Sequence, residues 1–219
     1  MLSKRSLLPA AVLTVLAITP AMAGPWSFAL MGGMTSPTGD YGKDSKTGFN
    51  IGAGVDYGLT DMISVGVDGS WNTTEHKGVG QVESGVRLDE DKFNIIQVGA
   101  HAKFKAPMAG SQFKPYGIVG LGIFNLKEDY KYTVIATGAT GTDETDEAAG
   151  YFKQPGTRFG GKVGAGALYK MNGMVGIGAE AAFNFISLEK GSAPGGGSKG
   201  SSAQYISIQA GVTFTPSSK

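Results

Sequence analysis

Eight stretches of this chain alternate apolar residues with small or polar ones, and one face of each stretch carries no charge. The clearest is Val175, Ile177, Ala179, Ala181, Phe183 and Phe185, set against Gly176, Gly178, Glu180, Ala182 and Asn184. A period of two belongs to β-strands, whose side chains point to opposite faces in turn. Over segments of about ten residues, an uncharged apolar face of this kind marks a strand with one side in lipid.

Before these stretches lies a segment with the grammar of an export signal. Lys4 and Arg5 give a positive start, and residues 6–18 form an apolar run too short to cross a bilayer. Thr19-Pro20-Ala21-Met22-Ala23 then supplies small residues for a peptidase. The expected organisation is a signal peptide at 1–23, cleaved after Ala23, and one barrel domain at 24–219. No other run is long enough for a transmembrane helix, so a membrane-spanning form has to be a closed barrel. The sequence has no cysteine, which excludes disulfides, thiolate metal sites and a lipoprotein anchor. Removing Lys4 and Arg5 turns the formal net charge from +1 to −1, so no basic surface argues for nucleic acid.

The strands are expected at 25–35, 47–58, 62–72, 92–105, 115–127, 157–170, 174–187 and 203–215. Short turns (58–61, 106–112 and 171–173, the last with the Asn172-Gly173 hairpin signal) alternate strictly with long connections at 36–46, 73–91, 128–156 and 188–202. In an outer-membrane barrel the short turns face the periplasm. The fold class is therefore all-β, an eight-stranded antiparallel up-and-down transmembrane β-barrel. On the fifth strand the outer set is taken as Tyr116, Ile118, Phe124 and Leu126. Val119, Leu121 and Ile123 are apolar on its other face, and Gly120 and Gly122 leave room for a bulge that changes parity. Threading the strands up and down puts Trp26, Tyr57, Phe104, Tyr116, Tyr169 and Phe214 in one aromatic girdle. Phe49, Trp71, Phe124, Phe159, Phe183 and Phe185 form the other.

The phrases Val55-Asp56-Tyr57-Gly58-Leu59-Thr60-Asp61, Lys114-Pro115-Tyr116-Gly117-Ile118-Val119-Gly120-Leu121-Gly122 and Gly178-Ala179-Glu180-Ala181-Ala182-Phe183 carry a family resemblance. The chain resembles the small outer-membrane barrels of the OmpA/OmpX type, with the OmpW-like group as second choice. The resemblance implies an outer-membrane location and dealings with membrane lipid, lipopolysaccharide and the barrel assembly machinery. Members of this group usually end on an aromatic residue, whereas here Phe214 is followed by Thr-Pro-Ser-Ser-Lys. Closure leaves no edge strand to pair, so a monomer is expected.

The opposite faces hold the candidate functional residues: Asp56, Asp68, Gln97, His101, Lys103, Lys162 and Glu180 as a polar network in the lumen. An eight-stranded barrel is just wide enough for side chains to fill, so charges there must pair or meet water. Counting back from the Asn172-Gly173 turn sets Lys162 diagonally across from Glu180, within reach of a salt bridge. Such a network can be a packed polar core, or a narrow ion path whose pairs exchange. The inward glycines leave room for water in the second case. His76 and His101 are the two histidines, too few for a histidine-rich metal site, and neither stands in a His-x-Ser pairing; no enzyme and no cofactor are expected. The acidic third loop (Glu128, Asp129, Asp143, Glu144, Asp146, Glu147) reads as solvated, or as a divalent-cation bridge to lipopolysaccharide. Its spacing does not match an EF-hand. A soluble lipocalin-like barrel, suggested by Gly24-Pro25-Trp26, would need a charged outer face. The function expected is a structural or surface-interaction role through the long loops, with a narrow channel or a lateral conduit for small solutes as alternatives.

Overall fold

In the computed structural model, residues 26–75, 77, 82–83, 86–108, 110–134, 139–143, 156–187 and 202–216 are described. Eight long strands make the wall: β1 (Trp26–Thr38), β2 (Gly48–Gly58), β3 (Ile63–Glu75), β5 (Val86–Lys105), β6 (Phe113–Val134), β8 (Gly156–Lys170), β9 (Val175–Ser187) and β10 (Ser202–Phe214). Two short strands, β4 (Val82–Glu83) and β7 (Ala139–Asp143), pair with the upper ends of β5 and β6. Neighbours in the wall run antiparallel in the order β3-β2-β1-β10-β9-β8-β6-β5, and the β3–β5 pairing closes the ring. Closure gives each strand two partners, so no backbone edge of the wall faces lipid. The short helix α1 (Gly39–Asp44) sits in the first long connection. Lys77 Nζ donates to the carbonyls of Gly42 and Lys43 at 2.8 and 2.7 Å, tying the second connection to the end of this helix.

Most strand ends fall within three residues of the expected ones. The exceptions are the lower-numbered end of β5 and the far end of β6. Their ladder continues above the barrel from Lys92–Asp129 to Val86–Val134, with an irregularity between Leu88 and Glu90. The apolar alternation stops where lipid stops, but backbone pairing does not need it, so the ladder outruns the sequence signal. The β8–β9 turn also differs in kind. Two-residue Asn-Gly turns need positive φ at both central residues, yet Gly173 is not among the positive-φ glycines. Here Asn172 Oδ1 accepts from the backbone amides of Met174 and Val175 at 2.8 and 2.7 Å, and the side chain holds the turn. Thr60 Oγ1 does the same for Met62 and Ile63 in the β2–β3 turn.

The outer face is apolar all round. Leu121 and Phe159 are 73% and 77% exposed, and Met34, Ile51, Val67, Val98, Val163, Ile208 and Val212 join them. In water such a continuous surface would drive aggregation; in a bilayer it is the hydrocarbon band. The parity expected for β6 is reversed. Val119, Leu121 and Ile123 face outward, while Ile118, Phe124 and Leu126 are buried in the lumen. Its pairing with β5 and β8 runs unbroken through Gly120 and Gly122, so no bulge lies there. The expectation failed because both faces of β6 are apolar, and an alternation of apolar with apolar carries no sign. Tyr116 and Phe124 therefore leave the girdles, and outward Phe113, paired with Tyr169, joins the lower one. Trp26 meets Tyr57 edge-on at 4.8 Å in the lower girdle, and Phe49 meets Trp71 at 5.3 Å in the upper.

Outward Leu121 stands midway along β6 between the two girdles. Leu121→Lys is expected to destabilise the folded barrel by about 2–4 kcal/mol, the cost of a cation at mid-bilayer. Urea titration of the refolded protein in lipid, read as the shift of unboiled protein on a gel, measures it.

Candidate functional site

The inward faces of β2, β3, β5 and β8 bring five of the candidate residues into one chain of ion pairs and hydrogen bonds. Lys103 Nζ donates to Asp56 Oδ2 at 2.9 Å, and Asp56 Oδ1 lies 2.8 Å from His101 Nε2. On the other side of the imidazole, Nδ1 lies 2.6 Å from Asp68 Oδ1, and the same oxygen accepts from Lys162 Nζ at 2.9 Å. The strands dictate this directly. Gly66 is opposite His101 in the β3–β5 register and opposite Asp56 in the β2–β3 register. A Cβ on Gly66 would come within 2.9 Å of both Asp56 Oδ1 and His101 Nε2, so its bare backbone is what lets the imidazole lie between two carboxylates. The two lysines balance the two aspartates, and each charge has a partner within hydrogen-bond distance. That is the condition under which charges tolerate a narrow lumen.

Glu180 and Gln97 belong to separate groups. Glu180 accepts from the Tyr116 hydroxyl at 3.0 Å, and Lys103 Nζ stands 5.4 Å over the centre of the Tyr116 ring. Lys162 is opposite Asn184, whereas Glu180 is opposite Gly166, four positions away along the strand. The Lys162–Glu180 salt bridge expected from the turn count is not formed. The side-chain-held turn sets a different register, and Lys162 reaches across the lumen to Asp68 instead. Gln97 lies in an uncharged layer: its Oε1 accepts from Tyr205 at 3.2 Å and from Ser70 at 3.4 Å. The same layer continues through Asn72, Thr35 and Asn50 to Gln209, which donates to Asn50 Oδ1 at 2.8 Å.

Toward the long-connection end, the lumen turns apolar. Phe93, Ile95, Phe124, Leu126, Ile186, Ala203 and Tyr205 form a buried cluster, each at most 1% exposed. Gly160 makes the space: a Cβ there would stand 2.6 Å from the Phe124 ring. A cavity of about 50 Å³ remains in the polar part, lined by Asp68, His101, Lys162, Glu180, Gln97 and their neighbours. That is room for water among polar partners, not for a solute. The cluster was hidden in the sequence by the same two-sided apolarity of β6, while Phe93 and Tyr205 stand near strand ends where the alternation fades.

Both nitrogens of His101 are engaged by aspartates, and among the described residues no group of three or more His, Asp or Glu is placed to hold a metal. His76, the acidic residues 144–147 and the Gly/Ser-rich segment 188–201 lie outside the described residues, as does the expected signal peptide.

Asp68 holds both Lys162 and His101 through one oxygen, so its loss should cost more than that of either partner. Asp68→Ala is expected to destabilise by about 3 kcal/mol, because two buried donors are left facing a cavity. Adding Lys162→Met should recover part of this, with a coupling of about 1 kcal/mol or more in a double-mutant cycle. Denaturant midpoints of the four proteins give the coupling.

The fold agrees with what comparison with known proteins shows. The family model described as "Outer membrane protein beta-barrel domain" matches residues 8–215. Among solved structures, Neisserial surface protein A superposes with a TM-score of 0.53 at 16% identity, over 89% of this chain and 99% of that one. The attachment invasion locus protein Ail of Yersinia pestis gives 0.41 at 18% identity, over 88% and 100% of the two chains. The N-terminal barrel of Pseudomonas aeruginosa OprF gives 0.42 at 14%, over 88% and 98%. No protein of curated function matches the sequence. With 8–215 of its 219 residues matched, all eight wall strands included, the chain belongs to the outer membrane protein β-barrel domain family and resides in the outer membrane.

Proposed function

We propose that this barrel is a sealed anchor that presents its long connections at the cell surface for structural or adhesive contacts, without conducting solutes. The observation that carries this reading is the filling of the lumen. The apolar cluster around Phe93, Phe124 and Tyr205 stands across the upper end, and below it the charges are tied to one another. Water cannot solvate an ion through an apolar plug, so the polar cavity beneath leads nowhere. The lateral-conduit alternative loses its sequence support, since Val119, Leu121 and Ile123 face lipid, and the wall ladder beside them is unbroken. The apolar outer face likewise speaks against a soluble lipocalin-like barrel.

A non-catalytic role goes with this reading. A serine nucleophile needs a histidine nitrogen free to take its proton, and at His101 both are occupied. The partners are those of the membrane itself: lipid and lipopolysaccharide around the wall, and the assembly machinery during insertion. The same reading has residues 1–23 removed on export. β1 opens at Trp26, three residues past Ala23, and N-terminal sequencing of protein from the outer-membrane fraction should begin at Gly24. A start at Met1 contradicts it.

The refolded protein, checked for folding by its gel shift, is expected to be silent in a planar bilayer, and Lys162→Met should not change that. Phe124→Ala combined with Tyr205→Ala removes two of the three aromatic members of the plug and should produce discrete conductance steps. Steps from the unaltered protein, altered by Lys162→Met, would instead establish the channel.

A further inference from the structure

Three lysines outside the ion-pair chain lie at the short-turn end, Lys105, Lys114 and Lys170. The inner face of β5 ends at Lys105, that of β6 begins at Lys114, and that of β8 ends at Lys170, by the parity that turns His101, Tyr116 and Lys162 inward. These three strands are consecutive in the wall, so one arc of the inner rim carries three cations. Lys105 and Lys114 are half-buried and Lys170 is exposed. Lys105 lies within electrostatic reach of Lys103 and Lys170, and of Asp56 and Asp61. Asp56 is already held at both oxygens by His101 and Lys103, which leaves Asp61, exposed in the β2–β3 turn, as the acid of that set facing the rim. Lys114 spends one donor on the Met108 carbonyl at 2.6 Å.

A second observation points to a ligand at the same place. Ser64 is on the inner face of β3, opposite Lys103, and only 1% exposed, yet its Oγ has no hydrogen-bond partner. A buried hydroxyl without a partner is costly, and here it stands beside the cationic arc.

We propose that this rim binds an acidic peptide on the periplasmic side, engaging successive carboxylates with Lys105, Lys114 and Lys170. Adjacent strands are about 4.8 Å apart, so β5 to β8 spans about 10 Å. That is wider than one small anion can bridge and suits a chain bearing several carboxylates. Lipid phosphates are not in position, because the lysines point into the barrel and the outer wall at this level is aromatic, with Phe104, Phe113 and Tyr169 exposed. A mouth with an excess of one sign of charge over low-dielectric walls focuses the field and gathers the oppositely charged partner. The ligand docks at this rim and does not pass, because the apolar plug closes the lumen above.

The test is binding of a fluorescent hexaglutamate peptide to the refolded full barrel in nanodiscs of uncharged lipid at low salt. Saturable binding is expected, weakened roughly tenfold by Lys170→Gln, equivalent to about 1.4 kcal/mol, and further by Lys105→Gln. Lys46→Gln at the opposite rim should leave it unchanged. Lys170 is exposed at a strand end, so its variant folds, and the gel shift verifies this. Absence of saturable binding, or binding indifferent to Lys170→Gln, overturns the proposal. So does displacement by equimolar inorganic phosphate, which would mark a site for single anions, or loss of the effect when anionic vesicles compete equally well.

Discussion

Every feature of this protein depends on closure of the wall. Backbone amides and carbonyls cannot be left unpaired in lipid, and the ring of antiparallel ladders satisfies them strand by strand. Closure then fixes parity. Once a strand is in register, each residue is committed to lipid or to the lumen, and a single-residue slip would exchange the two. The outer face answers with aliphatic side chains and two aromatic belts. The inner face has to solve a harder problem, because eight strands enclose little more than the side chains themselves.

The solution changes with height. At mid-height, charges are admitted because each is met by a partner. Lys103, Asp56, His101, Asp68 and Lys162 pass from strand to strand across the lumen without a gap longer than 2.9 Å. Uncharged amides and hydroxyls follow, and then the apolar plug. Glycines serve this arrangement less by flexibility than by absence of bulk: Gly66 admits the imidazole and Gly160 admits Phe124. Of the inward glycines that suggest a water path in the sequence, Gly66, Gly166 and Gly176 have their space taken by His101, Tyr116 and Leu168, while Gly52 and Gly54 line the small polar cavity.

How far the sequence could be read follows from where its two faces differ. On β9 and β10 one face is apolar and the other polar or small, and strand limits, parity and lumen residues are all legible. The members of the polar network could be named as well, since a charge on a lipid-facing position is so costly that its parity is unambiguous. Their partners could not. Lys162 pairs with Asp68 rather than Glu180 because register depends on how Asn172 holds its turn, and a motif alone does not determine that. On β6 the signal fails altogether, as Ile118, Phe124 and Leu126 are as apolar as Val119, Leu121 and Ile123. The plug, and with it the argument against conduction, lay in the one strand whose pattern was blank.

The most direct test therefore lies on β6. The chain has no cysteine, so single cysteines can be placed in turn at positions 118 to 126 and nitroxide-labelled in lipid bilayers. Access to the apolar relaxant oxygen should rise at 119, 121 and 123 and fall at 118, 124 and 126. The opposite phase, or no alternation, would put Phe124 in lipid, empty the lumen of its plug and contradict the sealed barrel.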